Sequence, residues 1–162
     1  MSVITFIYTD LPLNKLEYNI EDMFDEEYPL VISLDGSPVW GISFSKEKLH
    51  EIHEEATGHL FPELIRYHVI KSAGVYFEYN KHFPEGMKRS AQMCLDWLFS
   101  LVRDHLRSGA KKFYYSELWI SFNPDKKKPK MEKIDLANFK PDDTEFSFGN
   151  FTIWEFVDSS IK

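Results

Sequence analysis

Pro84-Glu-Gly-Met-Lys-Arg-Ser-Ala-Gln-Met-Cys-Leu-Asp-Trp-Leu-Phe-Ser-Leu-Val-Arg-Asp-His-Leu-Arg107 is the stretch on which the fold turns. Met87, Ala91, Cys94, Leu98, Leu101 and Val102 recur at helical spacing and make one apolar stripe. Met93, Trp97 and Phe99 widen that stripe, which predicts a helix covered on more than one side. Pro84 and Glu85 suit a first turn, Arg103 and Arg107 suit the negative C-terminal end, and Gly109 stops the helix.

Downstream of this helix, Lys112-Phe-Tyr-Tyr-Ser-Glu-Leu-Trp-Ile-Ser-Phe122 reads as a long strand, because aromatic and β-branched residues fit a pleated, half-buried surface. The segment Asn123–Lys130 reads as a loop. Two closing strands are expected at Glu145–Phe148 and Phe151–Val157, with Gly149-Asn150 as their turn. Upstream, Leu64–Lys71 and Val75–Tyr79 read as strands around Ser72-Ala73-Gly74. A shorter helix is expected from a Ser45 cap through Leu49, Ile52 and Ala56 to Gly58. Before it, Pro29–Leu34 and Val39–Phe44 flank Asp35-Gly36-Ser37-Pro38, a hairpin signal, since Asp-Gly supplies the positive φ of a tight turn. Val3–Thr9 is β-branched and aromatic throughout and predicts a first strand. The whole implies an α+β fold: a mainly antiparallel sheet with one long amphipathic helix packed on a face and a shorter helix.

At 162 residues the chain fits a single domain over 1–162. Hydrophobic residues make up 43% and aromatic residues 16%, which excludes a disordered chain. The start lacks a basic region followed by an apolar run, and no stretch approaches about 18 apolar residues, so neither signal peptide nor membrane span is expected. Cys94, the one cysteine, has no internal disulfide partner. A cytoplasmic protein is the expectation.

The net charge of −7 is unevenly spread. Residues 1–60 hold 12 acids against 3 lysines, whereas 61–108 carry +2 and 109–162 are neutral. A surface of that sign disfavours nucleic acid as a ligand and favours encounter with a basic partner. The acids are densest at 17–27; Tyr18 and Phe24 interleave them, Tyr28 follows directly, and all three offer aromatic anchors. Glu17, Tyr18, Glu21, Asp22, Phe24, Asp25, Glu26 and Glu27 are therefore the candidate partner-binding residues. The alternative for such acids is plain solubility.

Complete catalytic motifs are absent: no Gly-x-Ser-x-Gly, Walker loop, Gly-x-Gly-x-x-Gly or Cys-x-x-Cys occurs. On a helix, His50, His53 and Glu54 project from one face, with His59 able to fold back after Gly58, a plausible zinc set for a small hydrolase. The spacing misses His-Glu-x-x-His, and Leu49, Ile52 and Ala56 already define the buried face, so a solvated surface is the competing reading. Cys94 lies within the apolar stripe and reads as core. His68 is placed to meet Glu78 across a hairpin, or to be a core histidine with one hydrogen bond. His82 and His105 have no identifiable partner, and Glu26–Glu27 and Asp142–Asp143 are surface pairs. Lys126–Lys130 reads as a solvated loop able to touch phosphates. No catalytic residue, metal site or cofactor is assigned.

In size, acidity and helix-on-sheet pattern the whole chain resembles bacterial immunity proteins, particularly those of contact-dependent growth inhibition systems. That resemblance implies a cytoplasmic protein, not an enzyme, that binds and neutralises one cognate toxin. A nuclease toxin is the natural target, since its active site must be positive to hold phosphates. The resemblance rests on no shared motif and carries over no residue; the metal-dependent hydrolase remains the alternative.

Overall fold

Val3–Thr9 forms β1, the middle strand of a seven-stranded sheet in the computed structural model. The structure describes residues 3–19, 41–45, 60–71, 77–119, 128–139, 146–148 and 151–162. After β1 come β2 (Glu17–Asn19), β3 (Gly41–Ser45), β4 (Ile65–Lys71) and β5 (Glu78–Tyr79). Helix α1 (Glu85–Arg107) follows, then β6 (Phe113–Trp119), β7 (Lys130–Asp135), β8 (Phe146–Ser147) and β9 (Thr152–Val157). The large sheet has the order β2-β3-β4-β1-β6-β9-β7, while β5 and β8 pair separately. Its pairs are antiparallel except β7–β9, which is parallel.

β1 is central because it has something to bury on both faces. Phe6, Ile7 and Tyr8 are each fully buried, and burying Phe6 and Ile7 stabilises the fold by about 1.5–3 kcal/mol each on the usual area scale. Alternation sends Ile7 to the core beneath α1, with Leu95, Leu98, Val102, Phe113 and Phe156. It sends Phe6 and Tyr8 to a second cluster with Tyr114, Leu118 and Ile153. Phe61 covers that second face, stacked on Tyr114 at 4.2 Å and edge-on to Tyr8 at 5.3 Å. Its φ of 55° is left-handed, a conformation that costs a non-glycine residue about 1–2 kcal/mol and that the two ring contacts offset.

The helix matches its sequence pattern closely. Ala91, Cys94, Leu95, Leu98, Phe99, Val102, His105 and Leu106 are buried along it. The widened stripe has two sources: Phe99 packs on Phe139 and Phe156, while Trp97 meets Tyr18 and Phe77. Pro84 occupies the N-cap without a side-chain cap, and Glu85 opens the first turn. At the other end the Gly109 N–H donates to the Leu106 carbonyl (3.1 Å) and the Ala110 N–H to the His105 carbonyl (3.4 Å). This is a Schellman closure, and it needs the φ of +113° that Gly109 adopts. Arg103 does not serve the helix terminus. It reaches Asp158 Oδ2 (3.2 Å) and the Leu136 carbonyl (3.4 Å), holding the C-terminal segment to the helix.

Three sequence expectations are corrected. β8 and β9 do not form a hairpin: β8 pairs with β5, and β9 lies between β6 and β7. Burial decides this, because Phe148 is fully enclosed against Tyr115 at 4.4 Å on the helix side of the sheet. For the same reason β4 and β5 are not partners; Phe77 turns in to stack on Trp97 at 6.2 Å. Lys130, the last residue of the expected loop, opens edge strand β7, whose Met131–Asp135 carry no strand signal in the sequence. Lys130, Glu132, Lys133 and Asp135 disguise it, as charged residues commonly do on an edge. The hairpin turn at Asp35–Pro38 and the shorter helix after Ser45 lie outside the described residues, and Ser45 itself closes β3.

Candidate partner-binding site

The chain leaving β1 bends over the C-terminal half of α1 and is pinned there by polar contacts. The Leu13 N–H donates to the Tyr67 hydroxyl (3.0 Å), and the Leu16 carbonyl accepts the Phe44 N–H (2.8 Å). Asp10 accepts the amide N–H groups of Lys111 and Lys112 at 3.0–3.1 Å, which ties the end of β1 to the start of β6. Partial burial opposes the charged Asp10 carboxylate, but those amides outweigh it and hold its pKa below the ordinary range.

A cleft of about 290 Å³ opens between this segment and the helix. Its lining grades from buried Leu13 and His105, through half-buried Tyr18, Trp97 and Leu101, to exposed Asn14, Ser100 and Asp104. Tyr18 is set by β2, where it pairs with Ile42. Its ring stands edge-on to Trp97 at 5.0 Å and to Phe44 at 5.9 Å, and Lys15 Nζ lies 4.7 Å from its centroid. Burial and then the charge of Asp104 raise the Tyr18 pKa above its usual value, so the hydroxyl stays protonated at neutral pH.

His105 looks like the chemically active member, but its bonding says otherwise. Nε2 lies 2.9 Å from Thr9 Oγ1, and the ring also hydrogen-bonds the Leu11 carbonyl. Burial lowers its pKa, outweighing that carbonyl and the charge of Asp10, so the ring is neutral at neutral pH. A neutral imidazole has one donor and one acceptor, and both are used. His105 is a strut between β1 and α1, with no nitrogen left over for proton transfer.

A second polar cluster sits on the helix side of the sheet. Glu117 pairs with Lys71 and accepts the Tyr115 hydroxyl at 2.7 Å; Lys71 Nζ lies 5.0 Å from the Phe77 centroid. Burial, then the Glu117 charge, push the Tyr115 pKa well above normal. The phenol, ammonium and carboxylate satisfy one another, which fits a structural role.

Of the eight residues picked from sequence, the structure brings Tyr18 to the cleft and places Glu17 in β2 opposite Ser43. Glu21, Asp22, Phe24, Asp25, Glu26 and Glu27 lie outside the described residues, as do His50, His53, Glu54, His59 and Asp142–Asp143. Of the lysine run, Lys128 is exposed and Lys130 pairs with Glu132 in β7. His68 aligns with Phe6 and Ser45 rather than with Glu78, whose partner is Ser147. Cys94 is buried core. Among the described residues no three His, Cys, Asp or Glu side chains gather closely enough to hold a metal ion, and no helix is long and apolar enough to cross a membrane.

Sequence reasoning missed Asn14, Trp97, Ser100, Asp104 and His105 as cleft residues. Trp97, Ser100 and Asp104 do share one helix shoulder by spacing, flanking Leu101 of the apolar stripe. That signal marks a face without saying what stands opposite it. In comparison with known proteins, no family model matches the chain, and no curated protein or solved structure is significantly similar to it.

Proposed function

We propose that this chain is a protein-binding module that neutralises a basic partner, in the manner of a bacterial immunity protein acting on a toxin. The observation that carries this reading is the concentration of charge: 12 acids against 3 lysines in residues 1–60, with aromatics among the densest acids. Tyr18, from that acidic segment, lines the same open cleft as Asp104, so an aromatic anchor and negative charge come together on one surface. A nuclease domain fits as the partner, because the site that holds phosphates must itself be positive. Such a complex forms in the cytoplasm, where the toxin acts, and needs neither cofactor nor metal.

Charge reversal of Glu21, Asp22, Asp25 and Glu26 to Lys tests the surface. Association with the partner at low salt is expected to slow by about tenfold or more, with a smaller effect on dissociation. An on-rate that stays the same removes this segment from the interface. Failure to protect cells that express the basic toxin domain this chain is found to bind refutes the immunity role itself.

A further inference from the structure

We infer that the cleft between Tyr18 and the C-terminal half of α1 is a pocket for one arginine side chain of the partner. The proposal rests on the binding reading above and names the group that this surface takes. Three features converge. Tyr18 and Trp97 are half-buried rings held edge to face at 5.0 Å, so their position is set before any ligand arrives. Asp104 is exposed at the same cleft, and among the described residues its carboxylate has no ion-pair partner within 4.0 Å. Asp104 and Tyr18 line the same cleft, and the Asp104 charge helps raise the pKa of the Tyr18 hydroxyl.

The helix adds to this. Asp104 and His105 belong to its last turn, the end of the helix dipole that favours a cation. His105 is neutral and contributes no opposing cation. The ring of Tyr18 already shows its preference, since Lys15 Nζ lies 4.7 Å from its centroid. Lys15 is an internal cation competing for the same ring.

Arginine suits the pocket better than lysine because of shape and donor count. A guanidinium is flat enough to lie along an aromatic wall, and it carries five donors in a fixed fork. Asp104 offers two acceptor oxygens, with Asn14 and Ser100 supplying further acceptors at the exposed rim. An ammonium satisfies the charge but leaves the aromatic wall uncovered.

Nα-acetyl-arginine amide, titrated against the full chain while the Trp97 indole N–H is followed by NMR, tests the idea without the partner. A saturable shift is expected with the arginine probe and none with the citrulline amide, its neutral isostere. The exposed substitution Asp104→Asn is expected to weaken the probe about tenfold, and Lys15→Gln to tighten it about twofold to threefold. Equal response to citrulline, or wild-type affinity in D104N, overturns the pocket; equal affinity for the lysine amide overturns the choice of arginine. Failed probe binding, with association still slowed by charge reversal at 21–26, refutes the pocket and leaves the binding reading standing. Intact probe binding with an indifferent on-rate does the reverse.

Discussion

Replacing Phe148 by Ala asks whether β8 belongs under the helix, where the structure puts it, or beside β9, where the sequence put it. The ring has no exposed surface, and its centroid lies 4.4 Å from Tyr115, 5.9 Å from Phe156 and 6.2 Å from Trp154. Losing its transfer free energy costs about 2–3 kcal/mol. A residual cavity of up to about 100 Å³ adds roughly 1–2 kcal/mol, because aromatic neighbours on several sides relax only in part. The expected loss is therefore about 3–5 kcal/mol, a large share of the 5–15 kcal/mol typical of a domain. Urea denaturation reads it directly: with a slope near 2 kcal/mol/M the midpoint falls by about 1.5–2.5 M at unchanged slope. A loss under about 1.5 kcal/mol places Phe148 at a surface and refutes the packing of β8 against Tyr115.

Gly109→Ala leaves room for its methyl, whose nearest neighbour is Leu11 Cδ1 at 3.8 Å, so its cost comes from the φ of +113° alone. Thermal unfolding is expected to register about 1–2 kcal/mol, and an unchanged melting temperature rejects the helix closure described for this end. His105 makes stability depend on pH with a defined sign. Its folded pKa is lowered, chiefly by burial, so as pH falls the unfolded chain takes the proton first. Stability is then full above about pH 6.5 and declines below it, through the lower folded value. Urea midpoints between pH 7.5 and 5 check this, and His105→Gln is expected to flatten that part of the curve; an unaltered slope in the variant assigns the decline elsewhere.

The helix and the central strands were legible because each carries its own period. Met87, Ala91, Cys94, Leu98 and Val102 define a face by themselves, and Val3–Thr9 has the β-branched and aromatic content of a strand buried on both sides. Pairing was legible only where the signal was local. Phe148 and Phe77 read as strand residues of ordinary hairpins, yet both turn in to cover Tyr115, a residue far away in sequence. β7 escaped for the opposite reason. An edge strand has one hydrogen-bonded neighbour and one partly solvated face, so Lys130, Glu132 and Lys133 conflict with a loop no more than with a strand.

The same distinction governs the site. Tyr18 was selected for the acids that surround it in sequence, and its position owes nothing to them. The edge of Trp97, the Ile42 pairing and the anchored turn from Leu11 to Leu16 hold it at the cleft. Asp104 and Trp97 were visible as positions on a helix shoulder but carried no reason to be read with Tyr18. What joins them is closure of the β1–β2 segment over α1, and the Thr9–His105 bond is one of its fastenings. A histidine without a recognisable partner in the sequence thus turns out to hold the wall of the pocket in place. Loosening that wall, as Thr9→Val does by removing the hydroxyl, is expected to weaken the arginine probe while Asp104 and Trp97 remain intact. Unchanged probe affinity in that variant means that the cleft keeps its shape without the strut.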